Sequence, residues 1–573
     1  MRALKGLLLA AGAGSLLAST TVGAKRADVT ADLVLINGDV RTVDPARDHA
    51  TAFAVKNGHF VKVGSDREIR ALVGPATKVV DAAGRTVVPG MIDGHTHFMM
   101  GSDMVAGVDL SYIPDKKTWL KKIKERSDQL PKGEWLVGGG WDYTLGEGAL
   151  PTKEDIDSVV PDRPVFLHDI DGHTSWANSI ALKMAGITAK TPVPPGSEIV
   201  VDSKTGEPTG ILKEAGASEL VMRQPGMQKT QARRLDALRQ TIAYANSMGL
   251  TGAHEMAGRE TLFDYLSLAE KGQLNMRVWY GQFTDAPKDI TQAAADRTLI
   301  DRKLAALPVT KAKGPTLKFG YIKTIIDGVL STRTAVLDQP YSDMPGWKGE
   351  PFRTQADLER MISKANGAGF PMAVHAIGDA GVHTVLNAYE NARKPLPTGV
   401  HNRIEHIEVI EPADLMRFKT LDVVASMQPN HATGTIGKYI TERIGPEREP
   451  WAYVWKKMVV NHIPLVFGSD WSTSPLSPLT QINDAVFRES PFGLGNGPWH
   501  PENAVTFDEA LHAYTQAGAN MTPWAKEIGS ITVGKWADFV VIDGILPTPL
   551  DRSIRLRHVQ ATYLAGKPVF EQE

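Results

Sequence analysis

The chain has 573 residues, of which 42% are hydrophobic and 22% charged, and its formal net charge is -2. This length exceeds one ordinary core, so we expect a large catalytic domain with an added module, or several domains. The balanced charge provides no basic field for nucleic acid, and the absence of cysteine excludes disulfides, thiolate metal ligands and a cysteine nucleophile. Any metal must therefore be held by nitrogen and oxygen.

The first 24 residues have the layout of a secretory signal. Arg2 and Lys5 precede an apolar stretch from Leu7 to about Leu17, and small residues follow up to Ala24. That stretch is too short to span a bilayer comfortably, which disfavours the alternative of an uncleaved anchor. We predict cleavage after Ala24, export to the periplasm or the medium, and no stable membrane anchor in the mature protein.

Both ends of the chain carry short runs rich in Val, Ile and Thr that are separated by tight turns. The runs "ADLVLINGDVRTVD" and "AFAVKNGHFVKVG" lie near the start, and "GSITVGKWADFVVIDG" and "VQATYLAGKPVFEQ" lie near the end. Such runs are typical of antiparallel strands. We predict one small β-domain built from residues 25–88 and 525–573, flanking a larger domain at 89–524.

The middle of the chain alternates apolar β-type segments with amphipathic, helix-like ones. The eight strand candidates are "VVPGMIDGHTH", "LTGAHEM", "MRVWYGQF", "LKFGYIKTIID", "PMAVHAIG", "NRIEHIEVI", "DVVASMQP" and "IPLVFGSD". This count predicts the α/β class and a (β/α)₈ barrel. The region from about 101 to 245 is too long for one connection, so we expect it to form an insertion over the barrel mouth.

The first of these strands ends on two histidines one residue apart. Side chains alternate along a strand, so His95 and His97 point the same way while Thr96 points the opposite way. Taken alone, the pair could be half of a metal site, the solvated end of a strand, or part of a catalytic dyad.

Further polar residues lie within or just after the later apolar strands. With the first two, the set comprises His95, His97, Lys323, His375, His406 and Asp470. Each has an ordinary explanation on its own: a histidine is commonly a hydrogen-bonded core residue, and Asp470 could cap the following segment. In a barrel, however, all six would gather at the C-terminal mouth, where active sites of this fold lie. Their joint placement favours a site for two divalent ions.

Seven stretches then resemble one known family. "VVPGMIDGHTH", "KTIIDGVLSTRTA", "HAIGDAGVHTVLNAYE", "NRIEHIE", "SMQPNH", "VFGSDW" and "GSITVGKWADFVVID" are similar, in this order, to the metal-dependent amidohydrolase superfamily and its amidohydrolase-3, or YtcJ-like, branch. The resemblance covers essentially all of the mature chain. It implies a (β/α)₈ barrel with a small β-sandwich made from both ends, and a homodimer is a family-level expectation.

The resemblance also implies roles for the six residues. His95, His97 and Asp470 should bind one metal ion, with zinc expected by family analogy, and His375 and His406 the other. Lys323 should bridge them as a CO₂-derived carboxylated lysine, because a carbamate is an anionic ligand whereas an ammonium would repel two cations. Without that modification, a one-metal site is left.

The expected reaction is hydrolysis of a non-peptide carbon–nitrogen bond in a small amide. A metal-bound hydroxide would attack the carbonyl carbon, and Asp470 would act as general base and then general acid. His431 in "QPNH" and Arg333 in "STRTA" are candidate oxyanion donors, with a structural hydrogen bond or ion pair as the alternative for each.

The insertion and the end of the eighth strand provide further candidates for the substrate pocket. Trp141, Tyr143, His173 and Trp176 could line that pocket or form the insertion's own core. Trp471 could line the cleft or serve in packing.

Three other functions remain open from the sequence. The same centre could serve an esterase or lactonase. A deaminase is less compatible with Lys323, because one-metal deaminases of this superfamily typically lack the bridging lysine. An inactive, amidohydrolase-like scaffold would usually have lost ligands, and all six are present here.

Overall fold

The structure is a computed structural model, and the part of the chain that it describes comprises residues 30–142, 150–170, 172, 174–194, 197–227, 229–308, 314–433, 440–489 and 497–572. The predicted signal segment, residues 1–24, lies outside the described residues. Among the helices of the described part, none is both long enough and apolar enough to cross a membrane.

Eight parallel strands form a sheet that is nearly closed as a barrel, which confirms the predicted α/β fold. We number them β1 to β8 along the chain: Met91–Thr96, Leu250–Ala257, Arg277–Phe283, Leu317–Ile325, Met372–Ala376, Arg403–His406, Val424–Met427 and Leu465–Phe467. Both faces of these strands are covered, which explains why their sequences are near-continuous apolar runs. Beyond the end of β8, the Asp470 backbone N–H donates to the carbonyl of His95 at 2.8 Å.

Helices surround the barrel and connect its strands. The α-helices are Phe98–Ala106, Gln231–Ser247, Arg259–Glu270, Pro287–Ala305, Gln355–Gly367, Asp379–Ala392, Leu415–Thr420, Pro429–Thr433, Ile440–Ile444, Trp455–Val460, Pro478–Phe487, Phe507–Ala513 and Gln516–Asn520, and the 3₁₀ turns are Pro412–Asp414, Glu449–Trp451 and Pro501–Asn503. Helix Gln355–Gly367 illustrates how they begin, because the Thr354 side chain accepts a hydrogen bond from the Asp357 backbone N–H. Its residues Leu358, Met361, Ile362 and Ala365 are buried, as expected for one apolar helix face.

Strands from both ends of the chain form two smaller sheets. One contains, in order, His59–Gly64, Ala52–Lys56, Leu33–Ile36 and Lys78–Asp81; the other contains Lys567–Glu571, Val559–Leu564, Phe539–Ile542, Thr86–Pro89, Asp39–Asp44 and Arg47–Ala50. A short helix, Asp66–Arg70, and a 3₁₀ turn, Arg552–Leu556, accompany them. Arg277 of β3 and Asp538 form a buried ion pair that links the barrel to this terminal region.

The region between β1 and β2 contains a third, six-stranded sheet. Its strands are, in order, Glu198–Val201, Pro208–Lys213, Thr174–Ala177, Val165–Asp169, Leu136–Trp141 and Val108–Asp109, and its helices are Lys116–Gln129, Lys153–Asp157, Ser179–Met184 and Glu214–Met222. Helices Phe98–Ala106 and Gln231–Ser247 contribute to the barrel's core. The insertion that contains this sheet is therefore shorter than the predicted 101–245. The Tyr112 hydroxyl donates to Asn430 Oδ1 at 3.2 Å, so the insertion contacts the segment after β7.

Candidate metal centre

The structure brings the six predicted side chains together at the C-terminal ends of the barrel strands. His95 lies near the end of β1 and His97 directly after it, Lys323 lies in β4, His375 in β5 and His406 at the end of β6, and Asp470 follows β8. His95, Lys323, His406 and Asp470 are buried, and His97 and His375 are partly buried.

The two histidines of β1 point into the same space, as side-chain alternation predicts. Their Nε2 atoms are 3.3 Å apart, and Asp470 Oδ1 is 3.2 Å from each. Donor atoms bound at about 2.0–2.2 Å to a tetrahedral zinc ion lie roughly 3.3–3.6 Å from one another. The spacing of these three atoms therefore suits one small cation between them.

Hydrogen bonds on the far side of each ring orient these donors. His95 Nδ1 donates to Glu405 Oε2 at 2.6 Å, and His97 Nδ1 donates to the carbonyl oxygen of Met256 at 2.8 Å. With the proton on Nδ1, a neutral imidazole presents the lone pair of Nε2. Two lone pairs and a carboxylate oxygen facing one another repel, and a cation between them removes that repulsion.

The other two histidines lie beside this pair. The His406 ring centroid is 4.8 Å from that of His95 and 4.5 Å from that of His375. His406 Nδ1 donates to Gln428 Oε1 at 3.0 Å, whereas His375 donates through Nε2 to the Gly328 carbonyl oxygen at 3.1 Å. His406 thus has Nε2 available as a ligand atom, and His375 has Nδ1.

Lys323 places a buried amine against this histidine cluster. Its Nζ is 3.5 Å from His95 Nε2 and 3.3 Å from Met256 Sδ. Burial lowers the pKa of Lys323 to about 8, although Glu405 and Asp470 oppose the shift. Some of the Lys323 side chain is consequently present as the neutral amine near neutral pH.

The two carboxylates of the centre are held in their charged forms. Burial alone would raise their pKa values, but the electrostatic effect of the neighbouring His95 keeps the pKa of Asp470 well below its usual range. The Arg403 guanidinium does the same for the pKa of Glu405. A centre with anionic oxygens and neutral imidazoles is the donor set that divalent ions such as zinc take.

Arg403 and Glu405 are functional-site residues that the sequence reasoning did not single out. Arg403 pairs with Glu405 and also donates to His254 Nδ1 at 2.9 Å and to the Gly94 carbonyl oxygen at 2.6 Å. The sequence feature that could have identified them is the pair of opposite charges two residues apart in the apolar strand "NRIEHIEV". Residues two apart face the same side of a strand, so the two charges can pair.

The aromatic residues predicted for the substrate pocket lie elsewhere or outside the described part. Trp141 and Trp176 are fully buried in the insertion's apolar core, with ring centroids 6.0 Å apart. Their indole N–H groups donate to backbone carbonyls of the insertion, so both residues form part of the insertion's own core. Tyr143 and His173 lie outside the described residues.

The other three candidates have different surroundings. Arg333 forms an ion pair with Asp343, with Nη2 2.7 Å from Oδ2. Trp471 is buried against Phe98, with ring centroids 5.9 Å apart, and its carbonyl accepts a hydrogen bond from the His97 N–H. His431 is the one of the three whose side chain joins the cluster, with Nε2 3.7 Å from Asp470 Oδ2.

Comparisons with known proteins agree with this geometry. A profile described as Amidohydrolase family matches residues 78–570. YtcJ of Bacillus subtilis, an amidohydrolase by name, is 31% identical over 93% of this chain and 98% of its own length. The N-substituted formamide deformylase of Arthrobacter pascens is 28% identical over 94% and 98%. A crystal structure of a metal-dependent hydrolase from Pyrococcus furiosus is 26% identical, with a TM-score of 0.69, covering 91% of this chain and 99% of that one.

Proposed function

This chain belongs to the Amidohydrolase family, and we propose that it is a metal-dependent hydrolase that cleaves a non-peptide carbon–nitrogen bond of a small amide. The observation that carries the proposal is the convergence of His95 Nε2, His97 Nε2 and Asp470 Oδ1 at 3.2–3.3 Å. This spacing and donor chemistry support the binding of a divalent cation, with zinc as the first candidate. The name of the formamide deformylase relative supports an amide as substrate.

The two proposed ion positions share the six residues of the cluster. His95, His97 and Asp470 would hold one ion, His375 and His406 the other, and Lys323 would lie between them. A neutral Lys323 Nζ would add to CO₂ with release of one proton, forming a new C–N bond and an anionic carbamate. Its burial and its contact with His95 support this assignment, because burial favours the neutral amine that adds to CO₂ and the two cations would pair with the resulting anion.

When bound at such a centre, divalent ions would lower the pKa of a coordinated water to about 7 and would polarise a carbonyl group. Asp470 would accept a proton from the attacking water, since its carboxylate faces the space between His95 and His97. As the carbon–nitrogen bond breaks, Asp470 would return that proton to the leaving nitrogen. Glu405 and Met256 would keep the two imidazoles oriented during this exchange.

The direct test combines metal analysis with a substrate panel. Purified protein should contain close to two divalent ions per chain and hydrolyse members of a panel of N-acyl and N-substituted formamide compounds. It should act more slowly on esters and lactones, and the intact mass should show one added carboxyl group on Lys323. A folded protein that binds no divalent ion would contradict the proposal, and activity confined to esters or lactones would contradict the choice of bond.

Export remains a separate proposal that rests on the sequence of residues 1–24. N-terminal sequencing of protein from the periplasmic fraction or the medium should begin at Lys25. Full-length protein retained in the cytoplasm would contradict export.

A further inference from the structure

His431 is a buried imidazole that the six-residue pattern leaves unused. It lies in the short helix Pro429–Thr433, directly after β7, and is 3% exposed. Within the described residues, neither of its ring nitrogens has a hydrogen-bond partner. A buried polar group without a partner costs free energy, so a group that completes its interactions is expected.

The two oxygens of Asp470 face two different pairs of histidines. Oδ1 lies 3.2 Å from the Nε2 atoms of His95 and His97. Oδ2 lies 3.7 Å from His431 Nε2 and 4.0 Å from the nearer ring nitrogen of His406, Nδ1. Because that nitrogen donates to Gln428, His406 would bind a cation through its other nitrogen, Nε2. The rings of His406 and His431 are parallel within 6°, with centroids 5.9 Å apart. His406, His431 and Asp470 thus form a second cluster of ligand atoms, and it shares Asp470 with the first.

A carboxylate faces the far side of the His431 ring. Glu408 is buried, and its Oε1 lies 3.6 Å from His431 Nδ1. At this distance Glu408 makes no hydrogen bond to Nδ1, but its negative charge favours the proton on that nitrogen and leaves the Nε2 lone pair facing Asp470. A neutral imidazole in this tautomer has no Nε2 proton to donate, which argues against His431 as an oxyanion donor.

The segment that carries His431 is anchored on several sides. The Asn430 backbone N–H donates to Gln481 Oε1 at 2.9 Å, and its side-chain amide donates to Asp484 Oδ2 at 2.7 Å. The Tyr112 hydroxyl of the insertion donates to the Asn430 side-chain oxygen Oδ1 at 3.2 Å. Three residues before His431, Gln428 accepts the hydrogen bond that orients His406. One segment therefore orients both histidines, as preorganised metal sites require.

We propose that His431 is a metal ligand, binding a divalent cation through Nε2 together with His406 and Asp470. This inference deepens the proposed function by adding a ligand beyond the six that the family resemblance implies. The two-imidazole, one-carboxylate set suits zinc or another first-row divalent ion. Glu408 would then act as a positioning residue for His431.

The first test compares His431→Asn with the matched control His383→Asn, whose imidazole is half exposed and paired with Asp414. Chelator-treated proteins would be titrated with Zn²⁺ by calorimetry and with Co²⁺ by visible absorption, neither of which depends on activity. We expect two ions in the wild type and in His383→Asn. In His431→Asn the affinity for one of the two ions should fall by more than the roughly 10–100-fold that loss of an outer hydrogen-bond partner costs. The Co²⁺ spectrum should also change.

The outcomes separate this inference from the proposed function. Two ions bound to His431→Asn with wild-type affinities and an unchanged Co²⁺ spectrum would overturn the ligand role alone. A wild-type protein that binds no divalent ion would overturn both. If His431→Asn does not fold, crystals of the zinc-loaded wild type would decide: an anomalous peak about 2.0–2.1 Å from His431 Nε2 supports the inference, and separation beyond about 3 Å overturns it.

Discussion

The barrel mouth and the insertion core are both buried, but they bury opposite kinds of side chain. The mouth holds Asp470 and Glu405 with several imidazoles, whereas the insertion packs Trp141 and Trp176 edge to face. Buried charges cost free energy and are retained where chemistry uses them, whereas buried indoles mainly supply apolar area. Substitutions in the first region should therefore change metal binding and turnover, and those in the second should change stability.

The strongest test of this contrast is Asp470→Asn. Loss of the proton acceptor should lower kcat on an amide that the wild type hydrolyses by about 10²–10⁴-fold, with far-UV circular dichroism unchanged. Steady-state kinetics on metal-loaded protein would measure the effect. Wild-type turnover in the variant would remove Asp470 from the mechanism.

Trp176→Ala should destabilise the insertion by about 3–5 kcal/mol, because it empties a fully buried site. Denaturant unfolding followed by tryptophan fluorescence would measure the change, with Trp176→Phe as a control that retains most of the buried area. Unchanged stability together with a sharply raised KM would contradict the structural role of Trp176, because that result would identify it as a substrate-pocket residue.

Glu405→Gln should weaken metal binding by roughly 10–100-fold, because Glu405 orients His95 and raises its basicity. Zinc titration of protein from which a chelator has removed the metal would measure the affinity. The matched control is Glu390→Gln, because Glu390 is exposed and pairs with Arg417. Equal zinc affinities in the two variants would show that the far-side hydrogen bond does not matter.

Arg333→Ala should have the smallest effect. Its partly exposed ion pair with Asp343 is expected to contribute about 0–1 kcal/mol to stability, and kcat/KM should stay close to the wild-type value. Thermal unfolding and kinetics would measure both. A drop of about 10²–10³ in kcat would restore Arg333 as an oxyanion donor.

Much of the fold could be predicted from the sequence because its signals are local. The eight apolar strands and the alternation that aims His95 and His97 at one point depend on backbone geometry within a few residues. The aromatic motif around Trp141 was ambiguous for the opposite reason. A pocket wall and a sheet core require the same apolar side chains, so composition does not separate them.

The centre also contains an arrangement that alternation does not predict. Glu405 and His406 are neighbours in β6 and should face opposite sides, yet Glu405 bonds His95 and the His406 ring lies 4.8 Å from that of His95. The strand ends there with left-handed residues, His406 at φ 74° and Ile407 at φ 51°. Asp470, at φ 55°, has a similar turn after β8.

The sequence by itself determined the donor chemistry, with nitrogen and oxygen ligands and no thiolates, and the barrel strands that carry those ligands. Only the tertiary structure decided which polar side chains meet. His95 and Glu405 are 310 positions apart, and their contact depends on strand register and barrel near-closure. The tertiary structure also decided that His431 lies beside Asp470 and that Trp141 and Trp176 lie in the core of the insertion. Both outcomes depend on packing between segments that are distant in the chain.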